Sequence, residues 1–190
     1  ASNSEPSRDA VARTKQGLAH YQQGNFLSAI VDYNMAIELD PQLAPAYGNR
    51  GEVYRHQGEL DRAIVDYNKA IELDPQLMMA YNNRGLAYEA QGELDKAIAD
   101  LTKAIELAPV HAGFFNGRGS AYGQQGESDK AIADFNKAIE LVPQAAVAYN
   151  DRGDVHRLQG ELVLAIADYS KAIELDPQLA MAYSNRGQAY

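Results

Sequence analysis

The chain has 190 residues and a formal net charge of -9, from 17 Lys and Arg against 26 Asp and Glu. Phosphate neutralisation supplies most nucleic-acid affinity and no Lys/Arg run is present, so nucleic acid is not expected as a partner. The absence of cysteine excludes disulfides, thiolate metal sites and a cysteine nucleophile, and no apolar run approaches the length that spans a bilayer.

The start, ASNSEPSRD, is polar and is not a signal peptide. Residues 1–9 are expected to be a disordered leader, either the remnant of a cleaved signal or a boundary of the sequence. The compartment stays open, a cytoplasmic location being favoured and an exported or periplasmic one the alternative.

From residue 10 onward the chain lies on itself at a shift of 34. A degenerate first copy, 10–43, carries Gly17, His20 and GNFLSAIVDYNMAIELDP. Copies 44–77, 78–111, 112–145 and 146–179 follow, and a partial sixth, 180–190, breaks off at Tyr190. AYGNRGEVY (46–54) returns as AYNNRGLAY (80–88), FFNGRGSAY (114–122), AYNDRGDVH (148–156) and AYSNRGQAY (182–190). Each copy predicts two helices. In the first, Tyr47, Gly51 and Tyr54 share one face, and Gly58 ends it. In the second, Leu60, Ala63, Ile64, Tyr67, Ala70 and Ile71 form an apolar stripe, and Pro75 forces Asp74 out of helical geometry. One such pair cannot bury its apolar face alone, so stacking of neighbours is required.

Over 10–190 the chain resembles the tetratricopeptide-repeat (TPR) family. Copy 2 supplies the anchors Tyr47, Gly51, Tyr54, Ala63, Tyr67, Ala70 and Pro75, and the other copies follow, with Leu101 at the second-helix aromatic position of copy 3. The Asn-Arg-Gly and Ile-Glu-Leu-Asp-Pro wording is similar to that of bacterial, especially cyanobacterial, members. The resemblance implies an all-α, right-handed superhelical solenoid of antiparallel helix pairs, with five full repeats and a partial sixth. It also implies that each second helix packs on the first helix of the next copy. Arginine replaces the family's leucine at Arg50, Arg84, Arg118, Arg152 and Arg186, and each second helix carries an aspartate, from Asp32 to Asp168. An inter-repeat pair, Asp32–Arg50 and so on down the stack, is therefore expected, with Gln16 lacking a partner.

The glycine-rich stretch Ala112–Gly126 is a first helix in this register. Gly117-Arg118-Gly119-Ser120 has no strand before it and no Lys-Ser/Thr after it, so it is not a phosphate loop. Gly113, Gly117 and Gly123 have no scaffold duty in the repeat. They point either to a furrow for a partner group or to drift.

In the TPR family the concave wall is lined by first helices. The resemblance places the ligand contacts at Asn49, Glu52, Arg55, Met79, Asn82, Asn83, Leu86, Glu89, Asn116, Gly117, Ser120, Asn150, Asp151, Asp154 and Arg157. Recurrent carboxamides suit an extended peptide, since each offers a donor and an acceptor. The pattern that clamps C-terminal carboxylates in one TPR subclass is not met, because only Asn49 fits it. His20 and His156 replace packing tyrosines, His111 lies in a turn, and His56 faces the groove alone. No metalloprotease or hydrolase motif is present. The expectation is a non-enzymatic adaptor, without cofactor or metal, that binds a peptide segment or helix of a protein partner, with no membrane partner. The alternatives are a substrate-recruiting segment of a larger enzyme or sensor, and a scaffold that self-associates through 180–190.

Overall fold

The computed structural model describes residues 7–190. Most of the expected leader lies outside the described residues. Of its last three, Ser7 caps the first helix by accepting the Ala10 N–H, and Arg8 and Asp9 are helical.

The fold is all-α and of the repeat-solenoid type, with eleven helices among the described residues. The chain divides into two compact units. The first, up to Glu93, contains α1 (Arg8–Gln22), α2 (Phe26–Leu39), α3 (Ala44–His56), α4 (Leu60–Leu73) and α5 (Met78–Ala90). The second, from Leu94, contains α6 (Leu94–Leu107), α7 (Ala112–Gln125), α8 (Ser128–Leu141), α9 (Ala146–Leu158), α10 (Leu162–Leu175) and α11 (Ala180–Gln188). Within the first unit α1 pairs with α2 and α3 with α4, while α2 packs on α3 and α4 on α5. Within the second, α7 pairs with α8 and α9 with α10, and α8 packs on α9.

The turns follow from single residues. Gly58 adopts φ +77°, which L side chains rarely take, and the flanking N–H groups of Gly58 and Glu59 return to the carbonyls of Arg55 and Tyr54. At the other end of the hairpin Asp74 is extended, at φ -135° and ψ 93°, ahead of Pro75. Its Oδ1 accepts the Gln76 N–H at 3.0 Å, an Asx turn that Asp40 and Asp176 repeat.

The core is rich in alanine and carries one buried aromatic on each second helix except α6, where Leu101 takes its place. Ala63, Tyr67 and Ala70 of α4 are fully buried, as are Ala165, Tyr169 and Ala172 of α10. Complete burial of a ring such as Phe135 contributes roughly 3 kcal/mol. The helices of a pair meet where the ring lies over a glycine. A Cβ on Gly51 would stand 2.9 Å from Tyr67 Cε1 and 3.2 Å from the Ala63 carbonyl, so only glycine permits this approach.

That contact also corrects the expected Asp32–Arg50 pair. Because Gly51 lies under Tyr67, their preceding neighbours, Arg50 and Asp66, are brought side by side within one copy. Arg50 Nε and Nη2 donate to Asp66 at 2.8 and 2.7 Å. Arg118–Asp134 and Arg152–Asp168 are built the same way. The remaining Nη1 reaches the upstream second helix, but onto a neutral acceptor two residues past its aspartate: Asn34 for Arg50, Thr102 for Arg118, Asn136 for Arg152. Asp32 is turned into its own hairpin, where it meets Arg13 and His20. Tyr47 and Tyr54 flank the Arg50 guanidinium at 5.7 and 6.0 Å.

Candidate functional site

The first helices place their repeat-variable residues beside those of the adjacent first helix in the same unit. In the first unit the centre is Glu52, at mid-length of α3. Its carboxylate accepts from Arg55 Nη2 at 2.7 Å, from Asn83 Nδ2 of α5 at 2.9 Å and from the Tyr67 hydroxyl at 3.2 Å. Tyr21 donates at 3.3 Å, and His56 Nε2 stands 3.2 Å away. Burial by itself would raise the Glu52 pKa, but the hydrogen bond and charge of Arg55, with Tyr67 and His56, hold it below the usual carboxylate value. Burial and the Glu52 charge push the Tyr67 hydroxyl strongly up, which keeps it a donor.

Beside this node a cleft of about 360 Å³ opens between α3 and α5, with Asn49, Glu52, Met79 and Asn83 among its lining residues. Arg55 reaches it through Glu52, and Leu86 and Glu89 lie farther along α5. Asn82 is buried and donates to Asn83 Oδ1 at 2.9 Å, so it orients a neighbour and presents nothing to the cleft.

The second unit repeats the design with aspartates. Asp154 accepts from the Tyr169 hydroxyl at 2.8 Å and from Asn185 at 3.2 Å, with Arg157 Nη2 3.7 Å away. Asp151 accepts from Asn116 at 3.1 Å and from Asn150 at 3.2 Å. Burial raises its pKa, the two amides oppose that, and the nearby Asp154 charge adds to it. Asn150 is 1% exposed and, like Asn82, serves its neighbour. Gly117 is buried on α7, and Ser120 lines a cleft with Asp151 and Asp154.

One histidine differs from expectation, and another adds a contact. His56 is not alone, since it packs edge-on against Tyr21 at 5.4 Å as well as facing Glu52. His111 stacks on Phe114 at 4.0 Å, and a Cβ on Gly113 would stand 3.2 Å from that imidazole, so Gly113 does have a local packing role. His20 Nδ1 lies 2.8 Å from Asp32, while His156 Nδ1 lies 2.6 Å from Glu161 and its Nε2 3.9 Å from Asp168.

The tyrosine hydroxyls were not singled out from the sequence, although a signal was present. Copies 2 and 5 pair an acid on the first helix with a tyrosine fifteen residues later, Glu52 with Tyr67 and Asp154 with Tyr169. Copies 3 and 4, which lack that tyrosine, carry Leu86 and Ser120 at the acid's place.

A larger cleft of about 510 Å³, lined by Asn34, Arg50, Tyr54, Arg62 and Asp66 among others, is a weaker candidate. Its charges already satisfy one another: Arg50 is held by Asp66 and Asn34, and Arg62 by Glu59 and the Tyr54 hydroxyl.

A profile described as TPR repeat matches residues 17–55, 51–92, 119–160 and 153–190, and one described as Tetratricopeptide repeat matches 79–110. The chain belongs to the tetratricopeptide-repeat family. Among solved structures, MamA is 30% identical, with a TM-score of 0.75 over 86% of this chain and 96% of that one. TTC0263, a thermophilic TPR protein of Thermus thermophilus, is 22% identical, with a TM-score of 0.77 over 95% and 98%. YrrB, described as a TPR protein with an unusual peptide-binding site, is 22% identical, with a TM-score of 0.74 over 94% and 92%. Curated protein sequences give no significant match. TPR repeats form protein-interaction scaffolds and are in general not catalytic. Among the described residues no group of three or more His, Asp and Glu could hold a metal ion, and no helix is long and apolar enough to cross a membrane.

Proposed function

We propose that this TPR chain is a non-enzymatic adaptor that holds a segment of a partner protein against the inner faces of its first helices. The observation that carries the reading is the α3/α5 cleft. There Asn49, Met79 and Asn83 combine carboxamide and apolar surface around a carboxylate already fixed by Arg55 and Tyr67. An extended peptide carries one donor and one acceptor per residue, and a carboxamide can meet either. YrrB, of the same fold, has a peptide-binding site, but its 22% identity carries the fold and none of that site's residues.

Selection of a random peptide library on the intact chain tests this reading. The selected peptides are then measured against a variant carrying Asn49→Ala, Asn83→Ala and Arg157→Ala. The expected result is a loss of roughly tenfold or more in affinity. Equal binding to both proteins would move the binding surface off these helices.

A further inference from the structure

We infer that the seam between α7 and α9 is a two-part subsite, one that takes an apolar side chain and, three residues away along an extended peptide, a lysine or arginine. The inference rests on the groove reading above and specifies the partner's chemistry there.

The first part is an apolar socket of about 330 Å³, with Gly113, Asn116, Ala138, Ala145 and Val147 in its lining. Two departures from the repeat open it. Ala145 stands where Leu43, Leu77 and Leu179 occur, and Gly113 stands where Met79 and Met181 occur. In the first unit that leucine is a wall: Leu77 Cδ2 lies 3.8 Å from where a Cβ on Gly48, the counterpart of Asn116, would be. With alanine at 145 the volume is left empty and its lining is almost wholly hydrocarbon, which suits leucine, methionine or valine. Asn116 Oδ1 at its edge is buried without a hydrogen-bond partner.

The second part is a cleft of about 230 Å³ lined by Ser120, Gly123, Asp151, Asp154 and Leu158 among others. Among the described residues its charged lining is the two carboxylates of Asp151 and Asp154, and Arg157, beside it, stands 3.7 Å from Asp154. The local balance is therefore one negative charge in excess, and the pKa of Asp151 is already raised by burial and by Asp154. A cationic head would neutralise that excess. Leu158, 70% exposed beside the cleft, offers a surface for the aliphatic stem of a lysine or arginine. The same carboxylates disfavour a phosphate or an acidic segment.

The spacing follows from the helix. The hydrogen bond of Asn116 to Asp151 separates the two parts. From Gly113 to Ser120 is seven residues, about 10 Å at the helical rise. An extended peptide covers that distance in about three residues.

The test uses synthetic octapeptides containing Leu-x-x-Lys or Lys-x-x-Leu, each with Leu→Ser and Lys→Gln versions, titrated by fluorescence anisotropy. The proteins are the intact chain, Ala145→Leu, Asp151→Asn, and the Asn49→Ala/Asn83→Ala double variant. Leucine is native at three of the four positions equivalent to 145, Leu43, Leu77 and Leu179, so Ala145→Leu is expected to fold, which thermal melting checks. Ala145→Leu should weaken the leucine peptide about tenfold and leave the Leu→Ser peptide unchanged. Asp151→Asn should erase the preference for lysine over glutamine. The subsite is overturned if both variants bind all peptides as the parent does, or if no octapeptide binds. The groove reading is judged separately: library-selected peptides weakened by the Asn49/Asn83 variant but indifferent to Ala145→Leu and Asp151→Asn retain the groove and remove the subsite.

Discussion

Arg50 grips Asp66 with two parallel hydrogen bonds, Nε–Oδ2 at 2.8 Å and Nη2–Oδ1 at 2.7 Å, while its third nitrogen holds Asn34 of the preceding copy at 2.6 Å. One side chain thus clamps its own hairpin and fastens that hairpin to its neighbour. The ion pair lies inside the copy, and the link between copies is a neutral carboxamide.

Arg50→Ala leaves the buried Asp66 carboxylate without its partner and should cost roughly 3 kcal/mol. Arg50→Lys should recover little of this, because an ammonium cannot make the bidentate contact. Asn34→Ala should cost only about 1 kcal/mol. Urea unfolding of the three variants measures the order, and a double-mutant cycle between positions 34 and 50 isolates the link between copies.

Glu52→Gln should destabilise the fold at neutral pH, and Asp151→Asn should not. Glu52 has a folded-state pKa below its unfolded value near 4.5, so its ionised form stabilises the fold above that value. The contribution is lost as pH falls through the depressed pKa. Glu52→Gln should therefore destabilise by about 1.5 kcal/mol at pH 7, with the difference shrinking below about pH 4.5. Asp151 has a raised pKa, so its ionised form costs stability at neutral pH, and Asp151→Asn should be neutral to stabilising there. Unfolding curves from about pH 3.5 to about pH 8 compare the two profiles.

Glycines of similar appearance should respond differently to alanine. At Gly51 a Cβ would meet Tyr67 at 2.9 Å and the Ala63 carbonyl at 3.2 Å, and Gly51→Ala should cost about 1–3 kcal/mol. At Gly48 nothing lies nearer than 3.8 Å, and at Gly123 nothing nearer than 3.5 Å. Gly48→Ala and Gly123→Ala should each stabilise by about 0.5–1 kcal/mol through helix propensity. Melting temperatures should separate the groups by several degrees.

Gly123→Ala also bears on the meaning of the glycine-rich copy. Gly123 lines the acidic cleft of the second unit. A more stable variant that binds selected peptides less well indicates a cleft kept open for a partner. A more stable variant with unchanged affinity indicates drift.

The helix pairs and their boundaries were legible in the sequence because they rest on local chemistry repeated at a fixed period. Gly58 with its positive φ, the Asp74-Pro75 stop and the Ala63, Tyr67, Ala70 stripe each specify their geometry with neighbours close in the chain. Of the inner-face positions named from the resemblance, Asn49, Glu52, Met79 and Asn83 line one cleft of the first unit. Asn82 and Asn150 looked like the other carboxamides, but their burial makes them supports.

By itself, the sequence determined a family, a period and which residues vary from copy to copy, because hydrophobic periodicity and turn residues act over a few positions. Tertiary structure decided which charges meet. Asp66, not Asp32, takes Arg50, because the contact of Gly51 with Tyr67 sets the crossing point of the hairpin and brings the two preceding side chains together. Partner choice among recurring Asp and Arg residues depends on where two helices touch, a distance in space that spacing along the chain does not contain.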